Sequence, residues 1–441
     1  MGLTIALFWL LAAGIGLMVL YQGLTRSVDL FSIRNIYLAG FVVYQIVSPV
    51  MALQSDSYAG FRIVDPAKAG KWMLIFNYVF IGLFLLSYHR IKLVQWLAAK
   101  FPHRSATASD SMLTGLAFTL IISAVVLRLV GVRIPLLQSL SVNGSVALAA
   151  TSCAIIGWVW AQRRLNPVVL SIAFFIISVS MVVSLTGFFS RRPLVSILAG
   201  FSWGAYHRWV RFLPPGKLLL SAAPLAILAG SVVAAFTAIR GHSSNVTDAQ
   251  ATLQRMKGAS ISKGASDLFS GQAVGPAALW AVEAYPREIR YEHLFTFRYM
   301  AYWFVPRLLW EDKPEPLSTK VAHLAKLRGV NRDVITIPPG VVGYAAAEGG
   351  FYALVLYALF FGQFTRFFDE LITLNPHNPY IILPVGCATG QFLGLARGEI
   401  AIFTNLAIVG FVLTFLLIYL TSLAFGQSQD DALGAPVTPY R

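Results

Sequence analysis

The hydrophobic pattern of this chain is a series of long apolar runs separated by short polar links. Most runs have about 20 residues, the length that an α-helix needs to cross the hydrocarbon core of a bilayer. A membrane β-barrel would instead show shorter segments of alternating hydrophobic and polar residues. The pattern therefore predicts about eleven membrane-spanning helices. They lie near Leu3–Gly23, Ile36–Leu53, Trp72–Arg90, Met112–Val130, Ser145–Ala161, Val168–Gly187, Leu194–Phe212, Leu218–Ile239, Val341–Gln363, Tyr380–Ala396 and Ile400–Phe425.

One polar interruption is much longer than the others. Residues 240–340 form a segment that is too long to be a passive connector between two helices. Eight predicted spans precede it over residues 1–239, three follow it over 341–425, and 426–441 form a tail. Within the loop, aromatic residues and arginines are interspersed over Phe295–Trp310, which predicts a helix lying in the membrane interface. The predicted class is an all-α polytopic membrane protein with one large loop.

Composition and charge orient these helices. The chain is 57% hydrophobic, only 12% charged, and has a formal net charge of +15. Lysines and arginines concentrate in one alternate set of links, and such links face the cytoplasm. The N-terminus and the large loop are then expected on the outer face, and the C-terminus inside. No basic stripe interleaved with aromatics marks a nucleic-acid surface. No metal-ligand spacing, phosphate-binding loop or dinucleotide motif appears, so we predict neither a metal nor a cofactor.

Three groups of cations fall on the predicted outer face. They are Arg191 with Arg192, Arg307 with Lys313, and Arg397. Each group alone is more often structural, as a headgroup contact, a salt-bridged turn or a turn charge. Their convergence from separate links favours an anion site, and arginine offers a planar set of donors suited to phosphate or pyrophosphate.

The link into the ninth predicted span carries the other candidate chemistry. Its Pro339-Gly340 turn predicts a helix start whose free N–H groups could bind an anion. Glu348 lies in the apolar run that follows, where a carboxylate is costly without a partner, so we expect an arginine beside it. A structural Glu–Arg pair is the plain alternative. His293 and His323 in the loop are further candidates for a general base, although a loop histidine is more often only solvated.

Taken together, these motifs resemble the bacterial O-antigen polymerase family, whose members polymerise oligosaccharide repeat units. The resemblance covers mainly Gly187–Phe403, about half of the chain. Many members carry an acidic residue where Val342 stands, and the nearest carboxylate here is Glu348. The motifs are Ser190-Arg191-Arg192-Pro193, the Pro306–Pro314 stretch, the run from Pro339-Gly340 to Gly349-Gly350, and Arg397-Gly398-Glu399.

The resemblance implies a metal-independent, lipid-donor glycosyltransferase with a GT-C-like fold and no cofactor. It implies polymerisation of undecaprenyl-diphosphate-linked oligosaccharides at the periplasmic face of the bacterial inner membrane. A flippase and a chain-length regulator of the same pathway would be its partners, besides membrane lipids. The residues expected to bind diphosphate or glycan are Arg191, Arg192, Arg397, Arg307, Lys313 and Tyr344. The candidates for the base are His323, Glu348 and His293, in that order.

Three alternatives stay open. An O-antigen ligase uses the same donor but transfers the glycan to lipid A core. A transporter or flippase would be expected to show repeated halves, discontinuous helices and a ligand site at mid-membrane, and no repeat is visible in the sequence. A structural scaffold would tolerate loss of the arginines.

Overall fold

A computed structural model describes residues 1–101, 109–134, 137–185, 191–218, 273–327 and 336–424, together with residues 220, 230, 231 and 234. The described part is helical and contains no strand. Eight of its helices are long and apolar enough to cross a membrane, which confirms a multi-pass α-helical membrane protein. The eighth predicted span lies mostly outside the described residues, as do residues 240–272 of the loop and the tail.

We number the helices in chain order. They are α1 (Gly2–Thr25), α2 (Ile33–Phe41), α3 (Ser48–Ser55), α4 (Pro66–Arg90), α5 (Leu93–Ala99), α6 (Asp110–Val130), α7 (Gln138–Gln162), α8 (Pro167–Leu185), α9 (Arg191–Arg208), α10 (Val274–Ala284), α11 (Phe295–Tyr302), α12 (Leu317–Leu324), α13 (Gly340–Glu348), α14 (Phe351–Leu374), α15 (Pro379–Gly386), α16 (Thr389–Leu395) and α17 (Ile400–Ala424).

The candidate spans agree with the first six apolar runs and with the last. A π-helical segment, Val42–Val47, joins α2 to α3 into a single span. The spans are Gly2–Thr25, Ile33–Ser55, Pro66–Arg90, Asp110–Arg133, Ser141–Gln162, Pro167–Ser184, Phe351–Leu374 and Ile400–Thr421.

The predicted ninth span, Val341–Gln363, is wrong as a continuous helix. The chain forms the short α13, which ends at Glu348, and then the long α14. Gly349 and Gly350 separate them, and Gly350 has a φ of 63°, which side chains with a Cβ rarely adopt. An apolar run therefore predicts burial here but not continuity.

The predicted tenth span, Tyr380–Ala396, is also interrupted. It consists of α15 and α16, with Cys387 and Ala388 between them. Pro384 lies inside α15 and has no N–H to donate. The helix tightens after it, because Cys387 N donates to the carbonyl three residues back, that of Pro384, at 3.3 Å. Two consecutive apolar runs after the loop are thus discontinuous helices.

The seventh apolar run forms α9, which is not among the eight candidate spans. Gly200 of α9 lies against the Ala150 carbonyl, and Gly204 lies against the Ala154 carbonyl. The two residue numbers rise together, so α9 runs parallel to the membrane helix α7. Small residues four apart allow this close backbone approach.

Substitution of Gly204 tests this packing. A Cβ at Gly204 would overlap the Ala154 carbonyl and lie 2.8 Å from the Trp158 amide nitrogen, so both backbones would have to move. We expect Gly204→Leu to destabilise the protein by about 1–3 kcal/mol or more, as overpacked cores do. Thermal unfolding in detergent measures the effect. The control is Gly82→Leu, since nothing lies within 4 Å of a Cβ at Gly82. Equal unfolding temperatures for the two variants would contradict the packing.

The predicted interfacial helix is shorter than Phe295–Trp310. It forms α11, which ends at Tyr302, and turns follow as the chain approaches Pro306. Phe295 and Tyr299 are buried, so part of this helix packs onto the bundle and does not lie against lipid. Pro306 has a fixed φ and no N–H, which disfavours continuing the helix through it.

The predicted loop also contributes a helix to the core. All but two residues of α10 are buried, and its Gly275 amide donates to the Ser48 hydroxyl of α3 at 2.9 Å. Gly275 lies directly on the Ser48–Pro49 backbone, where a Cβ would not fit. The segment after residue 273 is therefore anchored in the membrane-spanning bundle.

Candidate functional site

Three irregular segments meet beside the middle of the second span. Gln45 lies in the π-helical segment and its side chain is fully buried. Its Nε2 donates to the Ala396 carbonyl at 2.7 Å, just after α16 ends. Its Oε1 accepts from the Val342 amide in the first turn of α13 at 3.4 Å. Single π-helical turns inside α-helices are frequent at functional sites.

Two of the N–H groups at the start of α13, where the sequence predicts an anion site, donate to protein acceptors. The Val341 amide donates to the Ala396 carbonyl at 3.2 Å, and the Val342 amide donates to Gln45. Gly340 has a φ of 69°, and a Cβ there would overlap the Gln45 amide. Protein groups therefore occupy these two donors and crowd the first residue of the helix.

Glu348, the last residue of α13, is a fully buried carboxylate. Its Oε1 accepts from the Thr296 amide at 3.0 Å and from the Thr296 hydroxyl, and its Oε2 accepts from the Tyr357 hydroxyl at 2.7 Å. The expected arginine partner is wrong for the described residues, since neutral donors from α11 and α14 hold this carboxylate instead. Such hydrogen bonds offset the cost of burying a polar group.

Burial raises the pKa of Glu348 to about 7, although the Thr296 and Tyr357 hydrogen bonds favour the charged form. Glu348 lies outside the eight candidate spans. A general base works best when its pKa is near the operating pH. The carboxyl of Glu348 is suited to exchange a proton at neutral pH.

The raised pKa of Glu348 gives a pH dependence to stability. Its pKa is higher in the folded chain than its ordinary value of 4.5, so the folded state favours the protonated form. This stabilisation is complete below pH 4.5 and is lost as pH rises to about 7. We expect thermal unfolding temperatures of the protein to fall across this window more steeply than those of Glu348→Gln. Parallel curves for the two proteins would contradict the pKa.

Glu399 is a second buried carboxylate, just before α17. Its Oε1 accepts from the Ser318 amide at 2.9 Å and from the Tyr344 hydroxyl at 2.7 Å. Tyr344 is fully buried, so its hydroxyl helps to hold α13 against α17. The sequence marks Glu399 only as the acid of an Arg-Gly-acid triplet and does not reveal that it joins three helices.

The Lys313 side chain binds backbone carbonyls in the turn after α11. Its side chain is 8% exposed, and its Nζ donates to the carbonyls of Trp303 at 2.6 Å and Val305 at 2.9 Å. Burial and the nearby Arg307 lower the pKa of the Lys313 amine. Arg307 itself is exposed. Of this pair, Arg307 has the more accessible charge.

The start of α9 lies at about the same depth in the bundle as the end of α16. Trp203 packs on Gly386, and Ser196 packs on Gly390, so α9 runs antiparallel to α15 and α16. One further turn from Ser196 reaches the backbone of Arg191 and Arg192, level with the last turn of α16. The side chains of these two arginines lie outside the described residues.

Arg397 follows the end of α16 directly and is half-buried. Its guanidinium lies 5.9 Å from the centre of the Tyr44 ring, which belongs to the π-helical segment. Burial raises the pKa of Tyr299, Glu399 adds to that rise and Arg307 opposes it, so both charges lie near Tyr299. Arg307 and Arg397 thus come from segments that approach each other near the middle of the second span, and the backbone of Arg191 and Arg192 is level with the last turn of α16.

The two histidines are both exposed. The His323 side chain lies at the end of α12. His293 Nδ1 lies 3.1 Å from the Tyr352 hydroxyl, which donates to the Glu348 carbonyl at 2.8 Å. Tyr352 thus links His293 to the backbone of Glu348.

Comparison with protein families, curated proteins and solved structures finds no match to this chain. No group of three or more His, Cys, Asp or Glu side chains among the described residues could hold a metal ion. The chemical groups available in the region around α13 and the end of α16 are arginines, buried carboxylates and tyrosine hydroxyls.

Proposed function

We propose that this protein is a metal-independent glycosyltransferase that uses a lipid-diphosphate-linked oligosaccharide as its donor. The substrate would be an undecaprenyl-diphosphate-linked repeat unit, polymerised at the periplasmic face of the bacterial inner membrane. One observation supports the proposal: Arg307 and Glu399 both act on Tyr299, while the buried carboxylates of Glu399 and Glu348 both act on Tyr344, so predicted cations and buried acids come from neighbouring segments. The predicted cations lie at the start of α9, in the turn after α11, and directly after the end of α16.

The first chemical task at such a site is stabilisation of the leaving group. When the anomeric carbon separates from the diphosphate oxygen, negative charge develops on the phosphate group. Arg397, with Arg191 and Arg192, would bind that charge, and fixed donors of this kind often supply the largest part of catalysis. Arg307 would add an exposed positive charge from the turn after α11.

The second task is activation of the acceptor. The acceptor sugar hydroxyl forms the new bond to the anomeric carbon while the bond to the diphosphate breaks. Glu348 would take the hydroxyl proton, a contribution worth about 10²–10⁴-fold in rate. Attack opposite to the departing diphosphate inverts the anomeric centre. The products are a longer lipid-linked glycan and a free lipid diphosphate.

The experiment that tests the proposal uses purified protein in lipid vesicles with lipid-linked repeat units and no nucleotide. A ladder of lengthened lipid-linked chains is the expected product. A single capped glycolipid formed on added lipid A core would instead indicate a ligase, which shares the donor chemistry. Absence of any glycan transfer, with the partner proteins present, would overturn the enzyme proposal.

A transporter for lipid-linked glycans is the second candidate, because one observation favours it. Transport sites are often formed by discontinuous helices near mid-membrane. Here α13–α14 and α15–α16 are both interrupted, and Gln45 lies 12 residues after Ile33, about 18 Å along the helix axis. Glycan movement across sealed vesicles without any lengthening would support this candidate over the transferase.

A further inference from the structure

A second polar cluster lies away from the proposed donor site, at the end of the bundle where α2 begins and α4 ends. Arg34 is fully buried there. Its guanidinium donates to the side-chain oxygens of Gln22 at 2.5 Å and Asn35 at 2.7 Å, and lies 3.3 Å from His89 Nε2. These partners are uncharged amides and an imidazole, so they do not neutralise the arginine.

The nearby carboxylate of Asp369 binds other donors and not the Arg34 guanidinium. Asp369 accepts from the backbone amides of Ile33 at 2.7 Å and Arg34 at 3.1 Å, and from the Tyr88 hydroxyl at 2.8 Å. It therefore holds the first turn of α2 against α14.

A second arginine lies beside the same tyrosine. Arg366 of α14 forms an ion pair with Glu370 at 2.6 Å, and its guanidinium lies 5.1 Å from the centre of the Tyr88 ring. The Arg34 guanidinium lies 5.2 Å from the same ring. Arg366 Nε is buried and has no hydrogen-bond partner among the described residues. A buried donor of this kind normally has an acceptor, so it indicates a ligand that accepts hydrogen bonds.

The surface beside this cluster fits a membrane boundary. The short helix α5 begins just after Arg90 and packs against α14. Its Leu93 and Trp96 side chains are 66% and 58% exposed. Lys100 Nζ, just beyond the helix, lies 4.0 Å from the centre of the Trp96 ring. Tryptophan with flanking lysines is typical of a helix that lies at the headgroup level.

We propose that this cluster binds the phosphate of an anionic phospholipid at Arg366 and the exposed Arg90, while the buried Arg34 adds positive charge behind them. All three arginines act on His89. The acyl chains would lie along the apolar face of α5. Basic pockets between membrane helices bind such headgroups on the cytoplasmic side of membranes. The start of α2 and the end of α4 lie on the predicted cytoplasmic side of this protein. The site lies away from the proposed donor site, and it does not depend on the transferase proposal.

The test is lipid binding to the purified full-length protein, measured by native mass spectrometry as cardiolipin is added. We expect cardiolipin to bind more tightly than phosphatidylcholine. Arg366→Gln should weaken cardiolipin binding about fivefold, the effect of losing one charge near an anionic headgroup. Arg90→Gln should do the same, and because Arg90 is exposed its loss does not threaten folding. The control is Arg62→Gln, an exposed arginine at the other end of the bundle, which should leave binding unchanged.

Two results would overturn this inference. One is cardiolipin binding that is equal in Arg366→Gln, Arg90→Gln and Arg62→Gln. The other is binding of inorganic phosphate with no preference for the anionic lipid, which would assign the cluster to a soluble anion. Because the measurement reads lipid binding and not glycan transfer, its outcome is separate from that of the proposed function.

Discussion

Replacement of Glu348 by glutamine is expected to slow glycan extension by about a hundredfold to ten-thousandfold. Glutamine keeps the shape of the side chain: its oxygen can still accept from Thr296, and its NH2 group can donate to the Tyr357 hydroxyl in place of the oxygen that now accepts from it. It cannot take a proton from the acceptor hydroxyl. The measurement is the initial rate of chain lengthening by purified protein in vesicles with lipid-linked repeat units.

The matched control for this variant is Glu288→Gln. Glu288 is an exposed glutamate in the link between α10 and α11, outside the proposed site. Its rate should equal that of the unmodified protein. Thermal unfolding at pH 5, where Glu348 is protonated, should show that Glu348→Gln is as stable as the unmodified protein. An unchanged extension rate in a folded Glu348→Gln protein would reduce Glu348 to a packing role.

Replacement of Arg397 by alanine is expected to lower kcat by about 10²–10³-fold. That is the cost of removing one fixed donor to a developing negative charge. Because the charge develops only as the bond breaks, kcat and kcat/KM should fall together. Arg397→Lys should recover only part of the rate, since lysine cannot offer the two-pronged contact of a guanidinium to phosphate. Initial rates over a range of donor concentrations separate these parameters.

Arg287→Ala is the control for Arg397, because Arg287 is an exposed arginine in the link between α10 and α11, outside the proposed site. It should leave both kinetic parameters unchanged. A rise in KM alone in Arg397→Ala would mean that the arginine only binds the donor in its ground state. Full activity of Arg397→Ala would remove this residue from the proposed diphosphate site.

The long apolar runs predict the membrane class and most of the spans, because burial in lipid requires a continuous stretch of apolar residues. They do not predict where a helix breaks. Gly349 and Gly350 lie in a run of small residues that is as apolar as its flanks, and the break depends on backbone angles. The composition of α9 is misleading in the opposite direction. It is too polar for a candidate span, yet the helix packs closely on the membrane helix α7 through Gly200 and Gly204.

The site shows the same limit. The sequence predicts that Glu348 needs a partner, because a buried charge is costly, and arginine is the obvious choice. The actual donors are Thr296, which is 52 residues away, and Tyr357 on the next helix. Hydroxyl groups leave no charge signal in a sequence, so no pattern marks them as partners. Glu399 reaches Ser318 across 81 residues, a contact that only the fold can bring about.

The packing of α9 also has a consequence for how the protein is made. This helix is too polar to be a candidate span by its own composition, and α7 covers only one of its faces. The other face meets α15 and α16, which leave the ribosome only after the whole of the long loop. We therefore expect α9 to enter the bilayer late, after its C-terminal neighbours have been synthesised. Chains truncated before Pro379 would then leave α9 accessible to water-soluble labelling reagents, while α7 is already protected.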